Sequence, residues 1–430
     1  MTMRPPILNR GLMFVALLLC SLTSHGPYVV MAGILLLCAC CLSDPDVREA
    51  LFSPRYVVFL SLSAAIITAC YLWYLAVPHA NTAYDLEKSA NNNYLFFLLA
   101  LMFLATFTAL IEKRLDEITG LLSALLNLHC GVLFFQTATL LVTGQYIDFI
   151  KPITGEASRY LIDASMNPIF PFRPTGLYVE PSTYGAAVAA MSVGYILLSR
   201  ARGRTPSLLP IALTVIAMLI TQSTAAIVQA VVLIAAVMMT HADRTKASIA
   251  IAVFAIAAPS LVAAYFHSFL LKFNADSGLR FELISYIFQA RHGWDYVFGY
   301  GPFSLEYDLY DLSKPRGNLG PAVASLNDAG LLNFFVVQFG VAGLAIPAAI
   351  FLRIRKDVGT LLFFGLLMTS KLSYTAPVLY LGLLPLILRL RPLPGVAARP
   401  KGADAIDVGR FEKASRAQLP LLEKSRARST

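Results

Sequence analysis

The sequence predicts an all-α polytopic membrane protein, with about twelve transmembrane helices and a periplasmic loop cap. Of its 430 residues 57% are hydrophobic and only 14% charged, with a mean hydropathy of +0.67. That is more apolar surface than a water-soluble core of this length can bury. Apolar runs recur throughout 1–388, and the basic residues between them fall in alternate connections.

In chain order the runs cover 11–24, 27–42, 56–77, 93–111, 118–143, 182–199, 208–221, 224–240, 248–266, 329–351, 359–370 and 374–388. Several fall short of the roughly 20 residues that cross hydrocarbon unaided. The pairs 208–221/224–240 and 359–370/374–388 therefore read either as tight hairpins or as single broken elements. Arg4 and Arg10 ahead of the first run look like the start of a signal peptide. The second run follows at once without a small-residue cleavage site, so a retained anchor is expected.

Arg48/Arg55, Lys113/Arg114, Arg200/Arg202/Arg204, Arg244/Lys246 and Arg353/Arg355/Lys356 fall in alternate connections, which sets the N-terminus in the cytoplasm by the positive-inside rule. Segments 78–92, 144–181 and 267–328 then face outward, toward the periplasm in a bacterium. Residues 1–388 form one integral membrane domain that includes the outward loops 144–181 and 267–328. Residues 389–430, rich in Pro, Ala, Arg, Lys and Glu without apolar periodicity, read as a flexible basic cytoplasmic tail drawn to anionic lipid. The nominal charge of +9 therefore reflects topology and gives no reason to expect nucleic acid.

No Gly-rich GKS or GKT stretch suggests ATP hydrolysis. Cys20, Cys38, Cys40, Cys41, Cys70 and Cys130 lie in or beside apolar runs without metal-ligand spacing, as small packing residues do. Neither a metal nor another cofactor is expected.

The chemistry belongs in the outward loops. The stretch Arg173-Pro174-Thr175-Gly176-Leu177-Tyr178-Val179-Glu180-Pro181 sets an arginine and a glutamate seven residues apart at the start of a membrane-length run. Charges held near lipid need polar partners or a water-filled cavity. A plain structural account also fits, with Arg173 at the headgroups and Glu180 capping a helix begun by Pro181. Upstream lie Tyr146, Asp148, Lys151, Glu156, Arg159, Tyr160 and Asp163, and Gly155–Met166 is expected to form a short interfacial helix. The second loop carries Lys272, Asp276, Arg280-Phe281-Glu282, Arg291-His292-Gly293-Trp294 and Phe298-Gly299-Tyr300-Gly301-Pro302. Gly299 and Gly301 permit a tight turn close to a ligand.

In this order the motifs resemble those of the bacterial O-antigen and exopolysaccharide polymerases and the related O-antigen ligases, over roughly 130–355. Arg173-x-x-Gly176-x-x-x-Glu180-Pro181-Ser182 is similar to that family's arginine, glycine and acidic-proline motif at the mouth of a central helix. Arg280, before an aromatic-rich stretch, is similar to the arginine of its large periplasmic loop, and Phe298-Gly299-Tyr300-Gly301 to its Gly-x-Gly turn. Ser325-Leu326-Asn327-Asp328, running into Gly340-Val341-Ala342-Gly343-Leu344, resembles the segment that closes the loop. Many relatives, the ligases above all, carry a His-Asn pair where this chain has Leu326-Asn327. His267 and His292 read instead as loop or interfacial groups.

The resemblance implies an inverting, metal-independent glycosyltransferase of the bacterial inner membrane, multi-pass with both termini cytoplasmic. It would polymerise undecaprenyl-pyrophosphate-linked oligosaccharide repeats at the periplasmic face, in an exopolysaccharide or O-antigen pathway. A flippase and a chain-length-controlling copolymerase would be its partners, besides the lipid bilayer itself. Arg173, Arg280 and Arg291 would bind the pyrophosphate, since guanidinium donors match phosphate oxygens. Glu180 or Asp328 would take the acceptor proton. Gly176, Gly299, Gly301 and Asn327 would position the loops. Two alternatives stay open: a transporter or flippase for the same lipid-linked sugar, and a noncatalytic component of an export complex.

Overall fold

The computed structural model describes residues 7–76, 86–161, 172–240, 293–299, 301–303 and 330–388. In chain order the helices are α1 (Ile7–Ser21), α2 (Pro27–Ser43), α3 (Pro45–Leu51), α4 (Pro54–Ala76), α5 (Leu86–Lys113), α6 (Leu115–Thr143), α7 (Lys151–Thr154), α8 (Pro181–Ala201), α9 (Leu208–Ile220), α10 (Thr224–Thr240), α11 (Asp295–Phe298), α12 (Leu331–Phe339), α13 (Ala345–Ile354), α14 (Val358–Met368) and α15 (Pro377–Leu388). Prolines open α2, α3, α4, α8 and α15, where the missing N–H costs no bond and the fixed φ suits the first turn.

The apolar runs read from the sequence are largely helical where they are described, and 248–266 lies outside the described residues. Among the described residues, four helices are long and apolar enough to cross a membrane: α4, α5, α6 and α8. The count becomes five if α2 and α3, bent by 108°, form one span. Six further apolar helices, of 10–17 residues, are shorter.

The expected run 329–351 is broken. Gly340, at φ +60°, ends α12, and a 3₁₀ turn over Val341–Leu344 leads into α13. A β-carbon on Gly343 would lie 2.6 Å from Phe339 Cβ and 2.8 Å from Phe335 O, so this crowded turn tolerates no side chain. The pair 208–221/224–240 is likewise two helices, separated at Thr221–Ser223 with Gln222 at φ +51°.

Helix α8 is the axis of the bundle and packs against α6, α9, α10, α14 and α15. A helix buried all round needs small residues for its neighbours to approach, and its sequence PSTYGAAVAAMSVGYILLSRA supplies them. A β-carbon on Gly382 would lie 2.5 Å from Ala190 O, and one on Gly194 would collide with the Leu381 carbonyl. Neither obstacle is a flexible side chain. Gly194→Val is expected to cost at least the roughly 1–3 kcal/mol typical of overpacking. Thermal melting in detergent should fall accordingly, while Gly120→Ala, with nothing within 4 Å of the added atom, should melt like the wild type.

The charged connections at one end of the bundle are knit together. Arg114 pairs with Asp44 at 2.7 Å and Asp46 at 2.8 Å, and Arg55 with Glu112 at 2.8 Å. Arg200 reaches Asp357 at 3.6 Å, and Arg202 pairs with Asp116. Burial alone would raise the Asp44 carboxyl pKa, but Arg114 and the backbone N–H groups of Val47 and Asp46 outweigh it and hold the group below its usual range. These arginines are the ones whose alternation set the predicted topology, and the structure gathers them on one side.

Candidate functional site

The opposite end of α8 is where the Arg173–Glu180 stretch lies. The stretch is held from below by residues of α1 and α6. Gln136 accepts from the backbone N–H groups of Thr175 at 3.2 Å and Gly176 at 2.9 Å, and donates to the Ile147 carbonyl at 2.7 Å. Tyr178, fully buried, donates to the Ser21 carbonyl at 2.8 Å and lies over the His129 ring with centroids 5.7 Å apart. The His129 Nε2 meets the Ser21 hydroxyl at 2.9 Å. Gly176 takes φ +58° above the Tyr184 ring, where a β-carbon would come within 2.8 Å of Cε2. Both the backbone angle and the space at this position call for glycine.

The upstream half of the loop differs from expectation. No helix spans the described part of Gly155–Met166. Gly155, at φ +77°, caps the single turn α7, and the chain then runs alongside the Arg173 stretch. Arg159 N–H donates to the Val179 carbonyl at 2.8 Å, Arg173 N–H to the Tyr160 carbonyl at 2.6 Å, and Leu161 bridges Phe172. Backbone bonds to a neighbouring segment have replaced the bonds a helix would have made. Asp148 organises this fold-back by accepting from the N–H groups of Ile150, Lys151 and Ser158 at 2.8–3.0 Å and from the Ser158 hydroxyl at 2.9 Å. Burial would raise its pKa, but those donors outweigh it and leave the carboxyl below its ordinary value.

Two clamps therefore fix the backbone about Arg173. Its own N–H is bonded to Tyr160, whose ring stacks on Tyr146 at 3.8 Å. The preceding carbonyl, of Phe172, accepts from Gln222 Nε2 at 3.0 Å. Gln222 holds a left-handed conformation uncommon outside glycine, at the break between α9 and α10.

Glu180 occupies the N-cap position of α8, yet its side chain makes no capping bond to the helix backbone. One carboxylate oxygen pairs with Arg159. The other accepts from the Ser182 hydroxyl at 3.2 Å and lies 3.7 Å from Lys371 Nζ. The side chains of Glu180 and Lys371 are 25% and 15% exposed, against 63% for Arg159. The lysine pair is thus the better shielded of the two, and shielding strengthens an ion pair that solvent would weaken.

Lys371 was not among the candidates read from the sequence. Its one signal is a basic residue in 369–376, a short connection that the alternation places outward, where the positive-inside rule disfavours it. The structure fixes that connection against α12: Leu331 N–H donates to the Ser370 carbonyl at 2.9 Å, and Tyr374 bonds Gln338.

Gly299 and Gly301 join the same neighbourhood. Gly299, at φ +70°, abuts the backbone of Gln338 and Gly340, and Gly301 N–H donates to the Gln338 carbonyl at 2.8 Å. The close approach expected at this turn is to the chain's own backbone. Phe303 then packs against Tyr71 and Tyr74, near the C-terminal end of α4, and Phe97 in the first half of α5. Arg280, Arg291, Asn327 and Asp328 lie outside the described residues. No protein-family model and no curated protein matches the chain.

Proposed function

We propose that the chain polymerises polyprenyl-pyrophosphate-linked oligosaccharides at the outward face of a bacterial inner membrane. The observation that carries this reading is the placement of Glu180: a carboxylate at the mouth of the central buried helix, in one loop with Arg173, flanked by Arg159 and Lys371, and free of a helix-capping bond.

In the transfer, the acceptor hydroxyl oxygen on the non-reducing end of one lipid-linked repeat bonds to the anomeric carbon of the donor chain. The bond from that carbon to the pyrophosphate breaks, and its electron pair leaves on the phosphate oxygen. The hydroxyl proton passes to Glu180 or Asp328. Arg173, with Arg280 and Arg291 of the second outward loop, meets the charge that builds on the leaving group. Apolar helix faces give the polyprenyl chain lateral access from lipid.

Purified protein in proteoliposomes, supplied with defined lipid-linked repeats on one face, tests the reaction: a polymerase lengthens the saccharide without moving it across the bilayer. Transport without lengthening would favour the flippase reading, and neither activity the noncatalytic one.

The assumed orientation has its own check in single cysteines. Ser158 is a poor reporter, because it is buried and bonded to Asp148. Glu156→Cys, in the exposed part of the loop, is expected to react with an impermeant thiol reagent in intact spheroplasts, whereas Ser207→Cys, exposed at the opposite end, should not. Equal labelling at both positions in sealed cells would overturn the orientation and with it the site assignment.

A further inference from the structure

We infer that Lys371 is a diphosphate-binding residue, paired with Glu180 and drawn from that carboxylate to the phosphate oxygens of a bound donor. The proposal rests on the polymerase reading for its ligand and shares Glu180 with it, while Lys371 belongs to none of the motifs behind that reading.

Three observations carry it. The first is the contact itself. At 3.7 Å the Lys371 ammonium is within ion-pair range of Glu180 Oε2 but beyond the roughly 2.7–2.9 Å of a charge-assisted hydrogen bond, so opening it breaks no such bond. The second is its shielding: with 15% of its side chain exposed, the ammonium meets an incoming anion in a partly dry setting where the attraction is strong. The third is the mounting. Connection 369–376 is pinned by the Ser370 carbonyl to the first residue of α12 and by Tyr374 to Gln338, while the lysine stem keeps its own rotatable bonds. A fixed base under a flexible stem suits exchange between two anions.

The exchange has a consequence at Glu180. Its Oε2, which accepts from Ser182 and faces Lys371, loses the ammonium and has a lone pair for the acceptor hydroxyl once the lysine has moved to the diphosphate. No bond is made or broken in this step. The carboxylate is thus cleared only after the leaving group is in place, which orders donor ahead of acceptor.

The test is equilibrium binding of a polyprenyl diphosphate, and separately of a polyprenyl monophosphate, to the full-length protein in nanodiscs. Lys371→Met is expected to weaken diphosphate binding roughly tenfold or more, as loss of one charged hydrogen-bonding contact does, and monophosphate binding less. Lys371→Arg keeps the charge and should stay within a few fold of wild type. Glu180→Gln removes the competing carboxylate, so it should tighten diphosphate binding in the wild-type background and leave it unchanged in the Lys371→Met background. Lys113→Met, at the far end of the bundle, controls for net charge.

Equal diphosphate affinity of wild type and Lys371→Met overturns the proposal, as does weaker binding by Glu180→Gln. These outcomes leave the polymerase reading standing if lengthening persists. Conversely, the expected pattern in a protein that never lengthens a saccharide would sink the polymerase reading and keep the diphosphate site. A wild type that binds no lipid diphosphate rejects both.

Discussion

Arg173→Lys is expected to lose sugar transfer nearly as completely as Arg173→Ala, with membrane abundance close to wild type in both. Lysine keeps the charge but offers a point donor in place of a planar fork, and a developing pyrophosphate is matched by the fork. Removing one preorganised donor to transition-state charge typically costs about 10²–10³ in turnover. The structure explains why folding should be spared. The backbone of this stretch has anchors besides the Arg173 side chain: Arg173 N–H on Tyr160, the Phe172 carbonyl on Gln222, and the N–H groups of Thr175 and Gly176 on Gln136. Single-turnover rates and donor affinity in detergent-purified protein would separate chemistry from binding. If Arg173→Ala and Arg280→Ala both retain turnover and donor affinity, the arginine clamp is wrong.

Much of the architecture was legible because membrane helices announce themselves. Apolar length, proline at first helical turns and the alternation of Lys and Arg are local signals, and they located helices such as α4, α6 and α8 within a few residues. Interruptions were harder to read. The run 329–351 is apolar throughout, and what divides it is a backbone encounter between Gly340 and Gly299, some forty positions apart in sequence, which hydropathy does not register. The stretch after Gly155 has amphipathic spacing for a helix, but Asp148 and the Arg173 segment offer its backbone other partners.

The candidate site divides along the same line. Gly176 and Glu180 stood out because a glycine and an acidic residue before Pro181 form a compact motif. Lys371 lies 191 positions beyond Glu180 in a connection with no motif of its own, and only tertiary packing brings the two together. Arg159 was legible as a loop charge but not as the partner of Glu180, because only the fold-back along the Arg173 stretch brings the two together.

The second large effect is expected at the acceptor-activating carboxylate, with Glu180 ahead of Asp328. Had Glu180 been only a cap, its side chain would bond the N–H groups of the first turn, and its loss would chiefly lower stability, by about 0.5–2 kcal/mol. In the structure it caps by backbone position alone, while its oxygens go to Arg159, Ser182 and Lys371. Glu180→Gln keeps the size and most of the hydrogen bonding, so folded abundance should hold. Turnover should fall by about 10²–10⁴, the usual weight of general acid–base catalysis. A carboxylate base works only when ionised, so wild-type turnover must decline on the acid side of its pH profile, and the residual activity of Glu180→Gln should lack that decline. Donor affinity should be retained or improved. Asp328→Asn, compared in the same assay with defined lipid-linked repeats, is expected to keep both turnover and the acid limb. If the two phenotypes are exchanged, Asp328 is the base and Glu180 a positioning group. Wild-type turnover and pH dependence in both variants would reject carboxylate base catalysis, leaving proton transfer to the substrate's own phosphate or the transport reading as the better account of this site.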